Sequence, residues 1–246
     1  MAKKKTNIKG KKVSQKDSKL IDALTRISEA IVSDLYLEDI LKLIVAVTAQ
    51  VMNSKICSLL LLDESGKELS VKATQSVSDR YNKKPNVKVG EGIAGIVAET
   101  GEPITVPDVK EDLRYKNSTI AKKEKLCSLL CVPLVYKGKV IGVLNSYTAQ
   151  MHKFTHKEID VLRSIANQAA VVIENFRLVV EARVIKEELE SRKTIERAKG
   201  ILMKQDKLSE KEAYERIRKY SMDNRRSMRE VSEAIILTED MSRNNS

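Results

Sequence analysis

No proline occurs between residues 134 and 246, and no glycine between 143 and 199. A stretch of that length without either helix breaker can hold one very long helix. Thr155-His156-Lys157-Glu158 has the spacing of a capping box and marks its start. Apolar residues then recur at three- and four-residue intervals through Ile159, Leu162, Ala166, Ala169, Ile173, Phe176, Val180 and Val184. They step sideways to Ile185, Leu189, Ile195 and Leu202. A helix over 156–204 is about 70 Å long at ~1.5 Å per residue. One small domain cannot cover such a stripe, so the spacing predicts a dimeric coiled coil in its middle.

Upstream the periods are mixed. Helical spacing covers 18–34 (Leu20, Ile21, Leu24, Ile27, Ile31) and 38–52 (Ile40, Leu41, Ile44, Val45, Val51). Lys55–Leu62 reads as a buried strand, and Glu68–Thr74 as its hairpin partner across Asp63-Glu64-Ser65-Gly66. A polar loop covers about 76–86, and Ile93–Glu99 is a short helix closed by Gly101. Ile104–Val106 is a short strand, followed by a loop with helical turns over about 108–123. Leu126–Tyr136 and Val140–Tyr147 form a second hairpin around Lys137-Gly138-Lys139. Hairpins between flanking helices predict an α+β domain with an antiparallel sheet.

Beyond the long helix, Ser209–Glu212 and Ser227–Glu230 repeat the capping-box spacing and predict helices over about 210–221 and 228–238. Their apolar faces are Ala213, Tyr214, Ile217, Tyr220 and Met228, Val231, Ala234, Ile235. With Ile195, Ala198, Ile201 and Leu202 these make a small three-helix core that includes Tyr214.

Charge is uneven along the chain. Residues 1–19 hold eight Lys and one Asp, residues 20–190 are neutral, and residues 191–246 hold 14 Lys/Arg against 10 Asp/Glu. The first 17 residues read as a disordered basic tail. Basic ends around a neutral middle point to a polyanionic partner. No apolar run reaches the ~20 residues of a membrane span, and no secretory signal is present, which predicts a cytoplasmic protein.

The chemistry-bearing motifs are few. Gly90-Glu91-Gly92-Ile93-Ala94-Gly95 matches GxGxxG, with Glu111 and Asp112 downstream as ribose-binding acids. The stretch before it, Asn86–Val89, is short and half polar. A dinucleotide site needs a buried parallel strand there, so a tight turn capping the next helix is the better reading. The two histidines, His152 and His156, flank the start of the long helix and form no metal or catalytic pattern. Cys57, Cys127 and Cys131 lack a disulfide spacing and read as free thiols. Cys127 and Cys131 fall on one predicted strand, facing the same side, ~13 Å apart.

Residues 20–180 resemble the GAF domain family. The resemblance rests on KICSLLLLDESGKELSVKA, VGEGIAGIVAETGEPITVPDV and LCSLLCVPLVYKGKVIGVLNSY, in that order. It implies a six-stranded antiparallel sheet flanked by helices, often dimeric, often with a small-ligand pocket. It names no ligand or cofactor. The NKFDE-type signature of cyclic-nucleotide GAF domains is lacking, as are a haem-ligating His in the pocket region and a bilin attachment motif. In a pocket of this family the lining residues would be Cys57, Tyr115, Asn117, Cys127, Cys131, Asn145 and Tyr147.

Residues 188–241 resemble the ANTAR domain, most strongly over Ile195-Glu196-Arg197-Ala198-Lys199-Gly200-Ile201-Leu202-Met203, with Glu212-Ala213-Tyr214 and Glu230-Val231 following. Departures are Lys207 at the usual Gly, and Ser221 and Ser232 at the usual Ala. The resemblance implies transcription antitermination, in which a dimer binds paired hairpins of a nascent leader RNA. Candidate RNA-binding residues are Lys193, Arg197, Lys199, Gly200, Lys204, Arg216, Arg225, Arg226 and Arg229. Gly200 costs ~1 kcal/mol relative to Ala inside a helix, which a close approach of a helix or of RNA would explain.

The expected organisation is a basic tail (1–17), a GAF-like α+β sensor domain (18–180), a coiled-coil linker (181–191) and an ANTAR-like RNA-binding domain (192–246). The expected partners are RNA hairpins, a second copy of the chain and a small-molecule signal, with no membrane and no catalysis. Three competing readings are a DNA-binding regulator, a GAF-based redox sensor or reductase using the cysteines, and a dimerisation module without a ligand.

Overall fold

The structure is a computed structural model that describes residues 21–22, 25, 27, 36–76 and 85–244. The predicted basic tail, most of the predicted helix over 18–34 and residues 77–84 of the predicted loop lie outside the described residues. The chain divides into two compact units, Met1–Phe176 and Arg177–Ser246.

The first unit is α+β. Its elements are α1 (Leu37–Met52), β1 (Ile56–Leu62), β2 (Glu68–Thr74), β3 (Val87–Lys88), α2 (Gly92–Thr100), β4 (Ile104–Val106), α3 (Ser118–Lys123), β5 (Leu129–Tyr136) and β6 (Lys139–Tyr147). The start of α4 (His156–Gln205) closes the unit. The six strands form one sheet in the order β3-β2-β1-β6-β5-β4, with every pair antiparallel. The two predicted hairpins, β1–β2 and β5–β6, are its two halves. They meet where β1 pairs with β6, Cys57 opposite Ser146 and Ser58 opposite Asn145.

Strand alternation divides the sheet's side chains between two apolar layers. On one face Cys57, Leu59, Leu130, Val132 and Leu144 pack against Ile40, Ile44 and Val45 of α1 and Leu162, Ile165, Ala169 and Ile173 of α4. On the other, Ile56, Leu60, Leu129, Cys131, Val143 and Tyr147 pack against Ile93 and Val97 of α2, Tyr115 and Ala121. At ~1.5–3 kcal/mol per buried aliphatic side chain, these layers dominate the stability of the unit.

In the second unit the C-terminal part of α4 packs with α5 (Glu210–Asn224) and α6 (Met228–Asn244) around Ala198, Leu202, Ala213, Ile217 and Val231. All three capping boxes form. Thr155, Ser209 and Ser227 each accept a hydrogen bond from the backbone N–H three residues on and donate their own N–H to the Glu there, at 2.9, 2.8 and 2.8 Å. Tyr214 departs from the expected core, being 40% exposed while its neighbour Ala213 is fully buried. Ala213 and Ile217, four apart, fill the inward face of α5, and Tyr214 lies ~100° around the helix from Ala213. Lys207, at the position of the family's usual Gly, takes the left-handed conformation (φ 53°) that glycine ordinarily supplies. Ser232 is fully buried, and its hydroxyl donates to the Met228 carbonyl at 2.7 Å.

Candidate functional site

In the first unit the GxGxxG segment builds a turn. Gly90 and Gly92 have φ of +80° and +64°, and a Cβ on Gly95 would lie 2.2 Å from the Lys88 carbonyl oxygen. The glycines let α2 start hard against β3, a two-residue strand paired antiparallel to β2. No parallel strand precedes them, so the geometry is that of a helix-capping turn. Glu91 in this turn accepts a 2.6 Å bond from Lys116 Nζ, which holds its carboxyl below the usual carboxylate range.

Between this turn and the sheet lies a cavity of about 110 Å³. Its floor is Ser58, Leu60, Leu129, Asn145 and Tyr147, and Gly92, Ile93, Tyr115, Lys116 and Asn117 close it from above. The Tyr115 hydroxyl lies 3.4 Å from that of Tyr147, with the rings edge to face. Burial, partly offset by this contact, pushes the Tyr115 hydroxyl's pKa up. Asn145 is 4% exposed. Its Nδ2 donates to Ser58 Oγ at 3.4 Å, while its Oδ1 is buried without a partner among the described residues. The cavity is smaller than the ~300–1,000 Å³ of drug-sized ligand sites. It suits a small polar ligand that offers a donor to Asn145.

Of the residues expected around a pocket, Tyr115, Asn117, Asn145 and Tyr147 line this cavity. Cys57 does not: strand alternation turns it to the opposite face, among the α1 and α4 contacts. Cys131 shares the apolar layer on the cavity side but does not reach the cavity. Cys127 precedes β5 rather than lying on it, with its sulfur 3.9 Å from the Pro107 carbonyl oxygen. Ser58 and Glu91 were missed by sequence reasoning. The alternation of β1 around Cys57 was the signal that could have found Ser58. All three cysteines are free and buried. Burial pushes the Cys57 thiol up to about 12 and the Cys131 thiol higher still. His152 Nε2 lies 3.2 Å from the capping carboxylate Glu158, and its ring packs edge to face on Phe154. Among the described residues no group of three or more His, Cys, Asp or Glu is placed to hold a metal.

The second unit carries the basic candidates. At ~100° per residue, Lys193, Arg197, Gly200 and Lys204 share one face of α4. A Cβ on Gly200 would meet nothing within 4 Å. No helix of this unit therefore requires glycine there. Arg197 pairs with Asp240 of α6 at 3.1 Å and remains 60% exposed, whereas Lys193 and Lys204 are exposed and form no ion pair among the described residues. Arg225 ends α5 in the left-handed conformation (φ 51°). Arg226 and Arg229 flank the start of α6, paired with Glu230 at 3.4 Å and Glu233 at 2.8 Å, and Arg216 pairs with Asp206.

Lys199 is the most buried of these cations. Its side chain is 7% exposed, and its Nζ lies 2.8 Å from Glu210 and 3.0 Å from Glu196. It ties α4 to the first turn of α5. In the phase of the helix Lys199 lies ~120° from Lys193, toward the core side.

A model of the GAF domain matches residues 35–174, more than half of the chain. The chain belongs to the GAF domain family. An ANTAR domain follows at residues 183–236. The GAF domain is similar to that of a phosphoenolpyruvate-protein phosphotransferase from Coxiella burnetii, at 26% identity and a TM-score of 0.60, covering 68% of this chain and 99% of that one. The methyl sulfide methyltransferase-associated sensor of Methanosarcina acetivorans is 29% identical over 161 residues, 63% of this chain and 16% of that protein. The nitrogen fixation protein AnfA of Azotobacter vinelandii is 25% identical over 185 residues, 71% of this chain and 35% of that protein. The chain thus spans a minor part of these curated relatives. GAF and ANTAR domains are sensory and regulatory families rather than catalytic ones. No helix among the described residues is long and apolar enough to cross a membrane.

Proposed function

We propose that this chain is a signal-responsive antitermination regulator that acts in the cytoplasm. Its GAF domain takes a small polar signal, and its ANTAR domain binds paired hairpins of a nascent leader RNA as a dimer. The observation that carries the reading is an ANTAR-matched three-helix unit with an exposed basic face of α4 around Gly200. Exposed Lys and Arg can grip phosphates and stack on splayed loop bases, and a bare Gly Cα lets a backbone approach closely. On the α4 face the contacts would come from Arg197, Gly200 and Lys204, and on the α5–α6 turn from Arg225, Arg226 and Arg229. The orphan Asn145 Oδ1 beside a small cavity supports a ligand in the GAF domain.

The test is binding of the full chain, at fixed salt, to a two-hairpin leader RNA, a single hairpin and duplex DNA. Preference for the paired hairpins is expected. Preference for duplex DNA would overturn the reading in favour of a DNA-binding regulator.

A further inference from the structure

The stretch of α4 that opens the second unit exposes large apolar side chains: Val179, Val180 and Val184 are 67%, 45% and 49% exposed on other sides of the helix, and the rest fall along one line. Leu178, Ile185 and Leu189 are 49%, 59% and 51% exposed, and Ala182 between them is exposed too. Their spacing alternates four and three, that of a and d positions in a heptad: Leu178 and Ile185 at d, Ala182 and Leu189 at a. Asn175 and Val171 continue the spacing toward the N-terminus. Ala198 and Leu202, which turn into the three-helix core, lie ~130–170° around the helix from this line. The seam is therefore free of α5 and α6.

The flanking charges fix what can cover it. In this frame Glu181 and Glu188 occupy g, and Lys186 and Lys193 occupy e. All four are exposed and form no ion pair among the described residues. In a parallel pair of helices a g residue faces the e residue five positions on in its partner. Glu181 and Glu188 then face the partner copy of Lys186 and Lys193. In an antiparallel pair g faces g and e faces e, which sets Glu against Glu and Lys against Lys.

We infer that two copies of this chain pair in parallel and in register along Leu178, Ala182, Ile185 and Leu189, with reciprocal Glu181–Lys186 and Glu188–Lys193 ion pairs between the copies. Parallel pairing brings two copies of the three-helix unit to the same end of the coil, as two adjacent hairpins on one RNA require. It also draws Lys193 into the seam's edge, so Lys204 and Arg197 are the α4 cations left for RNA. This rests on the dimer reading above and adds its direction and register.

The test is disulfide cross-linking of full-length Leu178→Cys, Leu189→Cys and Val184→Cys under mild oxidation, with the wild-type chain, whose three cysteines are buried, as the blank. Leu178→Cys and Leu189→Cys should each give a covalent dimer. Val184→Cys, ~130° from the seam, should not. An antiparallel pair can bring only one of the two seam positions against its own copy. One cross-link or none, or equal cross-linking at Val184, would overturn the pairing. Sedimentation separates the two levels: a monomer at all concentrations sinks the dimer reading itself, whereas a dimer without these cross-links sinks only its geometry. In the same assay Glu181→Lys should weaken the dimer by about three-fold or more at low salt. Adding Lys186→Glu should restore it. An antiparallel pair predicts that Glu181→Lys would not weaken the dimer.

Discussion

Lys199 Nζ sits 2.8 Å from a carboxylate oxygen of Glu210, which joins the long helix to the first turn of α5. The hydrogen bonds to Glu210 and Glu196 raise the Lys199 ammonium's pKa, and the same bond lowers that of Glu210. The cation is thus already used inside the fold. Lys199→Met keeps the aliphatic packing and should leave the salt dependence of RNA binding unchanged. Lys204→Met should reduce the slope of log K against log salt by about one. Titrations at several salt concentrations decide between them, and a reduced slope for Lys199→Met would show that it reaches phosphate after all.

Acid should loosen the ANTAR unit. The carboxyls of Glu210, Glu212 and Glu230 are each held below their ordinary value of 4.5, by Lys199, Ser209 and Ser227 respectively. A carboxyl with a lowered folded pKa binds fewer protons in the folded state than in the unfolded one. Its contribution is present above pH 4.5 and is lost as pH falls through the folded value. Helical circular dichroism of the full chain during urea unfolding should show a midpoint falling between pH 5 and pH 3, roughly that window. A midpoint that rises on acidification would contradict these bonds.

Gly200→Ala should separate stability from function. A Cβ there meets nothing within 4 Å and the residue is helical, so the variant should be more stable by ~0.5–1 kcal/mol. If RNA approaches this face closely, the same variant binds the two-hairpin leader more weakly. Greater stability with unchanged RNA affinity would remove Gly200 from the interface.

Asn145→Leu tests the orphan acceptor. An unsatisfied buried oxygen costs ~1–3 kcal/mol, which offsets the loss of the long 3.4 Å bond from Nδ2 to Ser58, so an apolar side chain of similar volume should be near neutral in the ligand-free chain. Urea denaturation measures it. A loss above ~2 kcal/mol would mean that the oxygen is satisfied in solution.

The buried thiols should be inert. With its thiol pushed up to about 12, Cys57 stays protonated at pH 8, as does Cys131. A disulfide reagent should label both only as fast as the protein opens, and at once in urea. Fast labelling of native Cys57 or Cys131 would reopen the redox reading.

Local rules carried the secondary structure far. Glu68–Thr74 and Ile104–Val106 are strands with the predicted bounds, and the long helix ends one residue beyond its predicted 204. Capping boxes, breakers and period are short-range signals, and they hold well within elements, whereas the strand expected from Leu126 begins only at Leu129. The two-residue β3 escaped notice because Val87–Lys88 is too short to show any period. Of the basic candidates, only burial distinguishes Lys199 from Lys193 and Lys204. All three are lysines of one amphipathic helix, and the acids that capture Lys199 include Glu210, eleven residues away across a turn.

The sequence by itself therefore determined the elements, their order and the GAF and ANTAR character of the two halves. These are set by residue types at fixed local spacing. Tertiary structure alone decided which side of the sheet each strand residue joins. It put Asn145 and Ser58 at a cavity and Cys57 in the opposite layer. Pairing β1 with β6, across most of the domain's length, sets that register, and a period of two makes neighbouring residues face opposite ways.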